Sequence, residues 1–332
     1  MPAEPSAPPP GAVSALSLRQ MAYLVALSET LNFTRAAERC FVTQSTLSAG
    51  IRELEHQLDA VLFERDRQSV RPTELGRELA VRARGLLSQA QDFIAAARAA
   101  AHPLQGVVTL GAIPTIAPFL LPTLLRRMRR ALPGLAVLLR EEQTQRLLEE
   151  LEAGDIDLAL IALPMATGRL QVVPLFEEEL WLIAAEDDPL ARLAHPAVAQ
   201  IDMERFLLLG DGHCLREHSL QACRHGRRGR QRLPSAIEAT SLPTLVQMVE
   251  AGLGVSLLPE MAVKAGFLAG AGVVARPLAA PAPKRQVALV ARATTSRGAL
   301  IERVRQLATA SWRERASLGA RRSRVAAAPS AR

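Results

Sequence analysis

Asn32-Phe33-Thr34-Arg35-Ala36-Ala37-Glu38-Arg39-Cys40-Phe41-Val42-Thr43-Gln44-Ser45-Thr46-Leu47-Ser48 decides how the N-terminal part of this chain folds. Its first eight residues read as a short helix, with Ala36 and Ala37 small enough for another helix to pack closely. Cys40-Phe41-Val42 is a tight connection. Thr43 supplies a side-chain acceptor to cap a further helix, from Gln44 to about Leu58. In that helix Leu47, Ile51, Leu54 and Leu58 recur at helical spacing as a buried stripe. Gln44, Ser45, Ser48 and Arg52 lie off the stripe and can reach outward. A short helix, a tight turn and a helix with a polar N-terminal end predict a helix-turn-helix, whose second helix enters the major groove of DNA. An ordinary helical hairpin shares the apolar spacing, so the flanks decide. Downstream, Val61-Leu62-Phe63-Glu64-Arg65 and Val70-Arg71-Pro72 read as two short strands around a polar tip that carries Arg67. That is the pattern of a wing that touches phosphate or the minor groove.

Upstream, Ser17 caps a first helix with Leu18, Met21, Ala22, Leu24 and Val25 on one face, and residues 1–15 read as a disordered extension. Residues 16–72 therefore form an all-α winged helix-turn-helix domain. Thr73 opens a long helix, residues 74–100, with an apolar stripe and no evident partner in its own small domain. The same helix of a second subunit is the expected partner. The linker and dimerisation segment, 73–101, is followed by a hinge at 102–106. Over 107–312 strands and helices alternate, which predicts parallel sheets with crossover helices. A late strand at 286–293 returns to the sheet, so two α/β lobes crossed twice by the chain are expected, with a cleft between them. The last helix is expected at 298–310, followed by a basic disordered tail at 313–332.

Composition narrows the class. There are 40 Lys and Arg against 33 Asp and Glu, a net charge of +7, but residues 16–72 hold seven arginines and seven acids. Net charge is thus weak support for DNA binding, and the arginine clusters at 224–232 and in the tail stay without an assigned role. No apolar run reaches membrane-spanning length, and residues 1–15 lack the basic start and apolar core of a secretory signal. A cytoplasmic protein is expected, and the three cysteines then point to catalysis, sensing, metal binding or packing, not to structural disulfides.

Two of those cysteines lie in Gly210-Asp211-Gly212-His213-Cys214-Leu215-Arg216-Glu217-His218-Ser219-Leu220-Gln221-Ala222-Cys223-Arg224-His225. Cationic neighbours favour a thiolate at Cys214. On one helix Cys214 and Cys223 stand about 13 Å apart along the axis. A disulfide needs Cα atoms within ~7 Å, so bridging requires the segment to refold. Taken alone, two cysteines at this spacing favour two inert residues over a redox pair, and the rest of the chain must decide. Cys214, His218, Cys223 and His225 are also four soft ligands, though not at a standard zinc spacing. Thr115 and Thr144 read equally as helix caps. Cys40 reads as a packed residue between the first helices.

The signature Phe33-Thr34-Arg35-Ala36-Ala37, Thr43-Gln44-Ser45-Thr46-Leu47-Ser48 and Leu62-Phe63-Glu64-Arg65, in a chain of this layout, resembles the LysR-type transcriptional regulators from about Leu16 to Trp312. Asp59-Ala60 stands where that family usually has Gly-Val. Gly111-Ala112-Ile113-Pro114-Thr115, Glu142-Gln143-Thr144, Asp211-Gly212-His213-Cys214-Leu215-Arg216, Cys223 and Ala239-Thr240-Ser241-Leu242 together resemble the OxyR branch, which senses hydrogen peroxide. The resemblance implies a periplasmic-binding-protein-like regulatory half. Cys214 would be the peroxidatic cysteine and Cys223 the resolving one, with Thr115, Thr144, Gly212, His213 and Arg285 lining the peroxide pocket. It further implies promoter DNA read by Thr34, Gln44, Ser45, Thr46, Ser48, Arg52 and Arg67. A homodimer or homotetramer, contact with RNA polymerase and reduction by cellular thiols follow, with no cofactor, no metal and no membrane. OxyR proteins are often acidic after the second cysteine, whereas this chain has Arg224-His225-Gly226-Arg227-Arg228. The competing readings are a LysR-type regulator that responds to a small anionic metabolite in the cleft, a metal sensor, and an enzyme, a thiol peroxidase.

Overall fold

The computed structural model describes residues 16–65, 70–101, 103–225 and 238–326. Expectations that fall on the first fifteen residues, the wing tip with Arg67, residues 226–237 and the last six residues lie outside it. The chain divides into two compact units, 1–95 and 96–332.

In the first unit α1 (Leu18–Thr30), α2 (Phe33–Arg39) and α3 (Gln44–Gln57) pack around Leu24, Leu27, Ala36, Leu47, Ile51 and Leu54. Ser17 caps α1 in a capping box with Gln20. Leu18 is exposed, and the buried face runs instead through Gln20, Met21, Tyr23, Leu24 and Leu27. Thr43 caps α3 by accepting from the Thr46 amide at 3.2 Å. A Cβ at Gly50 would stand 2.6 Å from the Tyr23 ring, so α3 lies against α1 through a glycine. Leu58 departs from the expected stripe and is 37% exposed, because α3 ends at Gln57 and the next residues turn. Asp59 makes that turn at φ +46°, a left-handed conformation that Asn and Asp adopt at less cost than other L-residues but that only glycine takes freely. The wing strands β1 (Phe63–Arg65) and β2 (Val70–Pro72) are antiparallel with Glu64 opposite Arg71. Glu55 secures their root by accepting from the Leu62 and Phe63 amides at 3.0 and 3.1 Å.

The long helix α4 (Glu74–Ala101) is not without a partner in its own domain, contrary to expectation. Leu79, Ala80, Ala83 and Leu87 pack on the helix-turn-helix core. Leu75, Val81, Leu86, Phe93 and Ile94 remain exposed on it.

The second unit is built on one mixed sheet. Its elements begin with β3 (Gly106–Ala112), α5 (Ala117–Ala131), β4 (Leu135–Glu141), α6 (Thr144–Ala153) and β5 (Leu158–Leu163). β3 is parallel to β4 and β5, as alternation predicts. The expected parallel pairing ends at that point, because the returning strand β11 (Lys284–Ala291) runs antiparallel to β5. β6 (Gln171–Ala185) is one long continuous strand. Its first half pairs with β11, and its second half with β9 (Ser256–Pro259) and β10 (Val273–Pro277). One continuous strand thus belongs to both lobes, and residues 278–283 make the return crossing. The second lobe also holds β7 (Leu208–Leu209), α7 (Cys214–His225), β8 (Glu238–Ala239), α8 (Leu242–Glu250) and α9 (Glu260–Lys264). The final helix α10 (Gly298–Ala326) runs past the expected end at Ala310, so residues 313–326 are helical, not a disordered tail.

Candidate functional site

The site gathers where the two lobes share β6. Cys214 is the first residue of α7 and is buried. Thr115, between β3 and α5, and Thr144, the first residue of α6, are both about 1% exposed. Neither caps a helix: Ile116 and Gln143 hold the cap positions, without side-chain cap bonds. Both threonine hydroxyls instead lie near the Cys214 sulfur and favour its anion. Among the described residues the Thr144 hydroxyl has no partner at full hydrogen-bond geometry, so its approach to the sulfur falls short of a full bond.

Arg285, near the start of β11, completes the cluster and is 1% exposed. Its Nη1 donates to Thr115 Oγ1 at 2.8 Å and its Nη2 to the Thr115 carbonyl at 3.1 Å. Its Nε donates to Glu178 Oε1 at 2.9 Å, with Nη2 2.7 Å from the same oxygen. Glu178 Oε2 accepts from the Met261 amide at 2.9 Å. A buried cation is tolerable only when paired in this way. The Cys214 thiol feels opposed influences. Burial pushes its pKa up, and the nearby Arg285 charge and threonine hydroxyls pull it down without overcoming burial.

The loop before α7 is held by its own residues. Gly212 has φ +88°, a left-handed backbone that favours glycine, and a Cβ there would displace the Gln143 side-chain amide, which would stand 2.3 Å away. His213 is half-buried, and burial lowers its pKa against a pull from the Thr240 backbone. Arg216 donates to the Leu209 carbonyl at 3.0 Å and pairs with Asp211 and Glu238. One helical turn after Cys214, His218 is 4% exposed, and among the described residues neither ring nitrogen has a hydrogen-bond partner. Burial first, and Arg285 second, lower its pKa to about 4; the nearby Pro164 backbone opposes them without reaching hydrogen-bond geometry. Cys223 stands on the same helix, two and a half turns from Cys214; its side chain, like that of His225, lies outside the described residues.

The structure thus brings Thr115, Thr144, Cys214 and Arg285 together, with Gly212 and His213 on the loop that delivers the cysteine. Sequence reasoning missed Glu178, which sits in the run Glu177-Glu178-Glu179. The period of two along a strand turns the middle carboxylate inward from exposed Glu177 and half-buried Glu179, and that was the available signal. His218 was weighed only as a metal ligand. In the first unit Thr34, Gln44, Ser45, Thr46 and Arg52 are exposed and Ser48 is half-buried. Thr43 Oγ1 lies 2.9 Å from Ser45 Oγ and 2.8 Å from Thr46 Oγ1, which orders the N-terminal end of α3. Cys40 packs against the core of this unit, its sulfur 3.8 Å from the Ala22 carbonyl.

A winged helix-turn-helix followed by a long helix and a two-lobed α/β half defines a bacterial DNA-binding transcriptional regulator. This chain belongs to the LysR family. Residues 18–77 match the bacterial regulatory helix-turn-helix protein of the lysR family, and residues 101–313 match the LysR substrate binding domain. Among its relatives, the HTH-type transcriptional regulator EstR of Acinetobacter baylyi is 46% identical over 84% of this chain and 91% of that protein. The DNA-binding transcriptional dual regulator OxyR of Escherichia coli is 37% identical over 83% of this chain and 90% of that one. Among solved structures, a full-length cysteine-to-aspartate variant of Pseudomonas aeruginosa OxyR superposes with a TM-score of 0.72 at 35% identity, covering 88% of this chain and 94% of that one. A cysteine-to-serine mutant of Corynebacterium glutamicum OxyR with hydrogen peroxide bound gives 0.65 at 31%, covering 92% and 96%. Among the described residues no helix is long and apolar enough to cross a membrane.

Proposed function

We propose that this regulator senses hydrogen peroxide through Cys214 and controls oxidative-stress genes from the cytoplasm. The observation that carries the reading is one buried cluster, Thr115, Thr144, Cys214 and Arg285, at the head of a helix that also bears Cys223. The Cys214 sulfur, once deprotonated, attacks one peroxide oxygen and breaks the O–O bond. The other oxygen leaves with the displaced electron pair, takes a proton and becomes water, and Cys214 is a sulfenic acid. The threonine hydroxyls hold the peroxide in line, and Arg285 stabilises charge on the departing oxygen. The Cys223 thiol then displaces the sulfenic oxygen as a second water and forms the disulfide. Each event occurs once per signal and cellular thiols reset it, so the chain is a sensor and not a thiol peroxidase.

Gln44, Ser45, Thr46, Ser48, Arg52 and Thr34 face promoter DNA in this reading, with Arg67 on the wing. The exposed apolar residues of α4 fit a second copy, giving a dimer and then a tetramer that engages RNA polymerase. The test is mass spectrometry with two mutants. Peroxide-treated protein loses two hydrogens across the peptides that hold Cys214 and Cys223. Cys214→Ser abolishes the response, whereas Cys223→Ser still forms sulfenic acid, responds weakly and over-oxidises at high peroxide. Equivalent mutants, or no mass loss, overturn the reading.

A second reading, a small anionic metabolite bound in the cleft with inert cysteines, is favoured by one feature. The Cys214 thiol is buried and its pKa is raised, which keeps it mostly protonated at rest. The absence of any mass change would leave that reading standing.

A further inference from the structure

The last turns of α5 carry Arg126, Arg127, Arg129 and Arg130. Arg127 is half-buried and the other three are exposed. Arg129 and Arg130 in the final turn suit a helix C-terminus, where the carbonyl dipoles attract cations. Four arginines exceed that need, and those three and four residues apart repel one another along the helix surface. Glu314, on α10, partly offsets them. It lies 2.6 Å from Arg127 and 3.7 Å from Arg126. Among the described residues the side chains of Arg129 and Arg130 have neither a hydrogen bond nor an ion pair. Two concavities adjoin these residues. One, of about 480 Å³, is lined by Arg126, Arg127 and Arg130 with Leu307 and Glu314. The other, of about 550 Å³, is lined by Arg126, Arg129 and Arg130 with Leu125.

We propose that this end of α5 binds a small anion with two linked phosphates, of the diphosphate class. A guanidinium presents paired N–H donors that match two oxygens of one phosphate, which an ammonium group does not. Arg126 and Arg130 stand one turn apart, about 6 Å along the axis. Each lines both concavities, so two forks reach one compact anion from consecutive turns. A single phosphate would fill one fork and leave the other unmet. Concave walls also suit a compact anion better than the broad convex face of a DNA duplex. Glu314 acts in two ways: it orients Arg127 through their ion pair, and its charge opposes an incoming anion. The site lies at the opposite end of α5 from Thr115 and shares no residue with the Cys214 cluster, so it does not depend on the peroxide reading.

The test is calorimetric titration of inorganic pyrophosphate into the full-length protein at fixed ionic strength, beside orthophosphate, citrate and a short duplex without operator sequence. Pyrophosphate should bind saturably and roughly tenfold more tightly than orthophosphate or citrate, since only it engages both forks. Arg126→Gln combined with Arg130→Gln should weaken it roughly tenfold or more at an unchanged melting temperature. If that pair fails to fold, Arg129→Gln combined with Arg130→Gln is read in its place. Glu314→Gln should tighten binding roughly threefold, because the opposing charge is gone. Arg227→Gln combined with Arg228→Gln, in the other arginine-rich run, should leave binding as it was. No saturation at millimolar pyrophosphate, equal affinity for citrate, or no loss in the arginine variants overturns the site. Unchanged or weaker binding in Glu314→Gln also overturns it, since the anion then lies away from these arginines. If the duplex loses affinity in the arginine variants and pyrophosphate does not, the patch belongs to DNA and the diphosphate assignment falls.

Discussion

Replacing Arg285 by Met separates the structural from the chemical role of the buried pair. Arg285 and Glu178 are fully buried side chains, and Glu178 would keep only the Met261 amide as a partner. Breaking a buried ion pair from one side costs roughly 3–5 kcal/mol, because the remaining charge is desolvated and unmatched. At a urea dependence of ~2 kcal/mol per molar, that moves the unfolding midpoint of the regulatory half by about 2 M. Adding Glu178→Gln removes the stranded charge and leaves an amide oxygen for Met261, so the double variant recovers most of the loss. Reactivity does not recover with it. Loss of the Arg285 charge moves the Cys214 pKa further up and leaves the departing peroxide oxygen without its donor. Sulfenic acid formation at neutral pH should fall roughly 10- to 100-fold in both variants. Urea melts followed by circular dichroism read the first quantity, and trapping of the sulfenic acid in a Cys223→Ser background reads the second. A single variant within ~1 kcal/mol of the parent would show that the pair does not hold the junction of the lobes. A double variant oxidised at the parental rate would remove Arg285 from the chemistry.

Arg52→Ala should weaken operator binding by about 1–3 kcal/mol and shift preference at one base position if Arg52 reads a base. If it meets only phosphate, binding weakens uniformly and the salt slope drops, and no change in either removes α3 from the groove. Asp59→Gly should raise the stability of the N-terminal unit by up to ~1 kcal/mol, since it relieves a left-handed aspartate; a melting temperature unchanged or lowered contradicts this. His218 has a folded pKa of about 4 against ~6.5 in an unfolded chain. Above pH ~6.5 the ring is neutral in both states, but between ~6.5 and 4 only the unfolded chain takes the proton, so stability falls with pH by up to about 3 kcal/mol. His218→Phe should flatten that stretch of the stability curve.

The local elements were legible because their causes are local. Thr43, Leu47, Ile51 and Leu54 specify the recognition helix through a cap and a period, and the structure places it at Gln44–Gln57. Gly-Asp-Gly-His-Cys-Leu-Arg marked the thiol because glycine, cysteine and arginine each perform a distinct task in that loop. What the sequence hid is pairing over long range. β11 is an apolar strand in either direction, so nothing local shows that it runs antiparallel to β5. The carboxylate that holds Arg285 is 107 residues away from it in the chain. Asp59 was legible as a departure from the family pattern, but its consequence needed the backbone, which shows the left-handed angle that a glycine takes without strain.

Within the peroxide reading, α7 contains both the obstacle to switching and what weakens it. Arg216 fastens the head of the helix to the Leu209 carbonyl, Asp211 and Glu238, so Cys214 stays put and the Cys223 end must travel. Unwinding withdraws Leu220 from a buried position, at a cost of about 1.5–3 kcal/mol. It also releases His218, which is buried with no hydrogen bond on either nitrogen. A buried polar group left unpaired costs roughly 1–3 kcal/mol, and that penalty is recovered when the ring reaches water. The two terms are of the same size, so the helix keeps its cysteines apart without being locked. An apolar ring at position 218 would have no such penalty to recover. His218→Phe should therefore slow disulfide closure while sulfenic acid formation at Cys214 proceeds, and an unchanged closure rate would show that the unpaired imidazole does not set the balance.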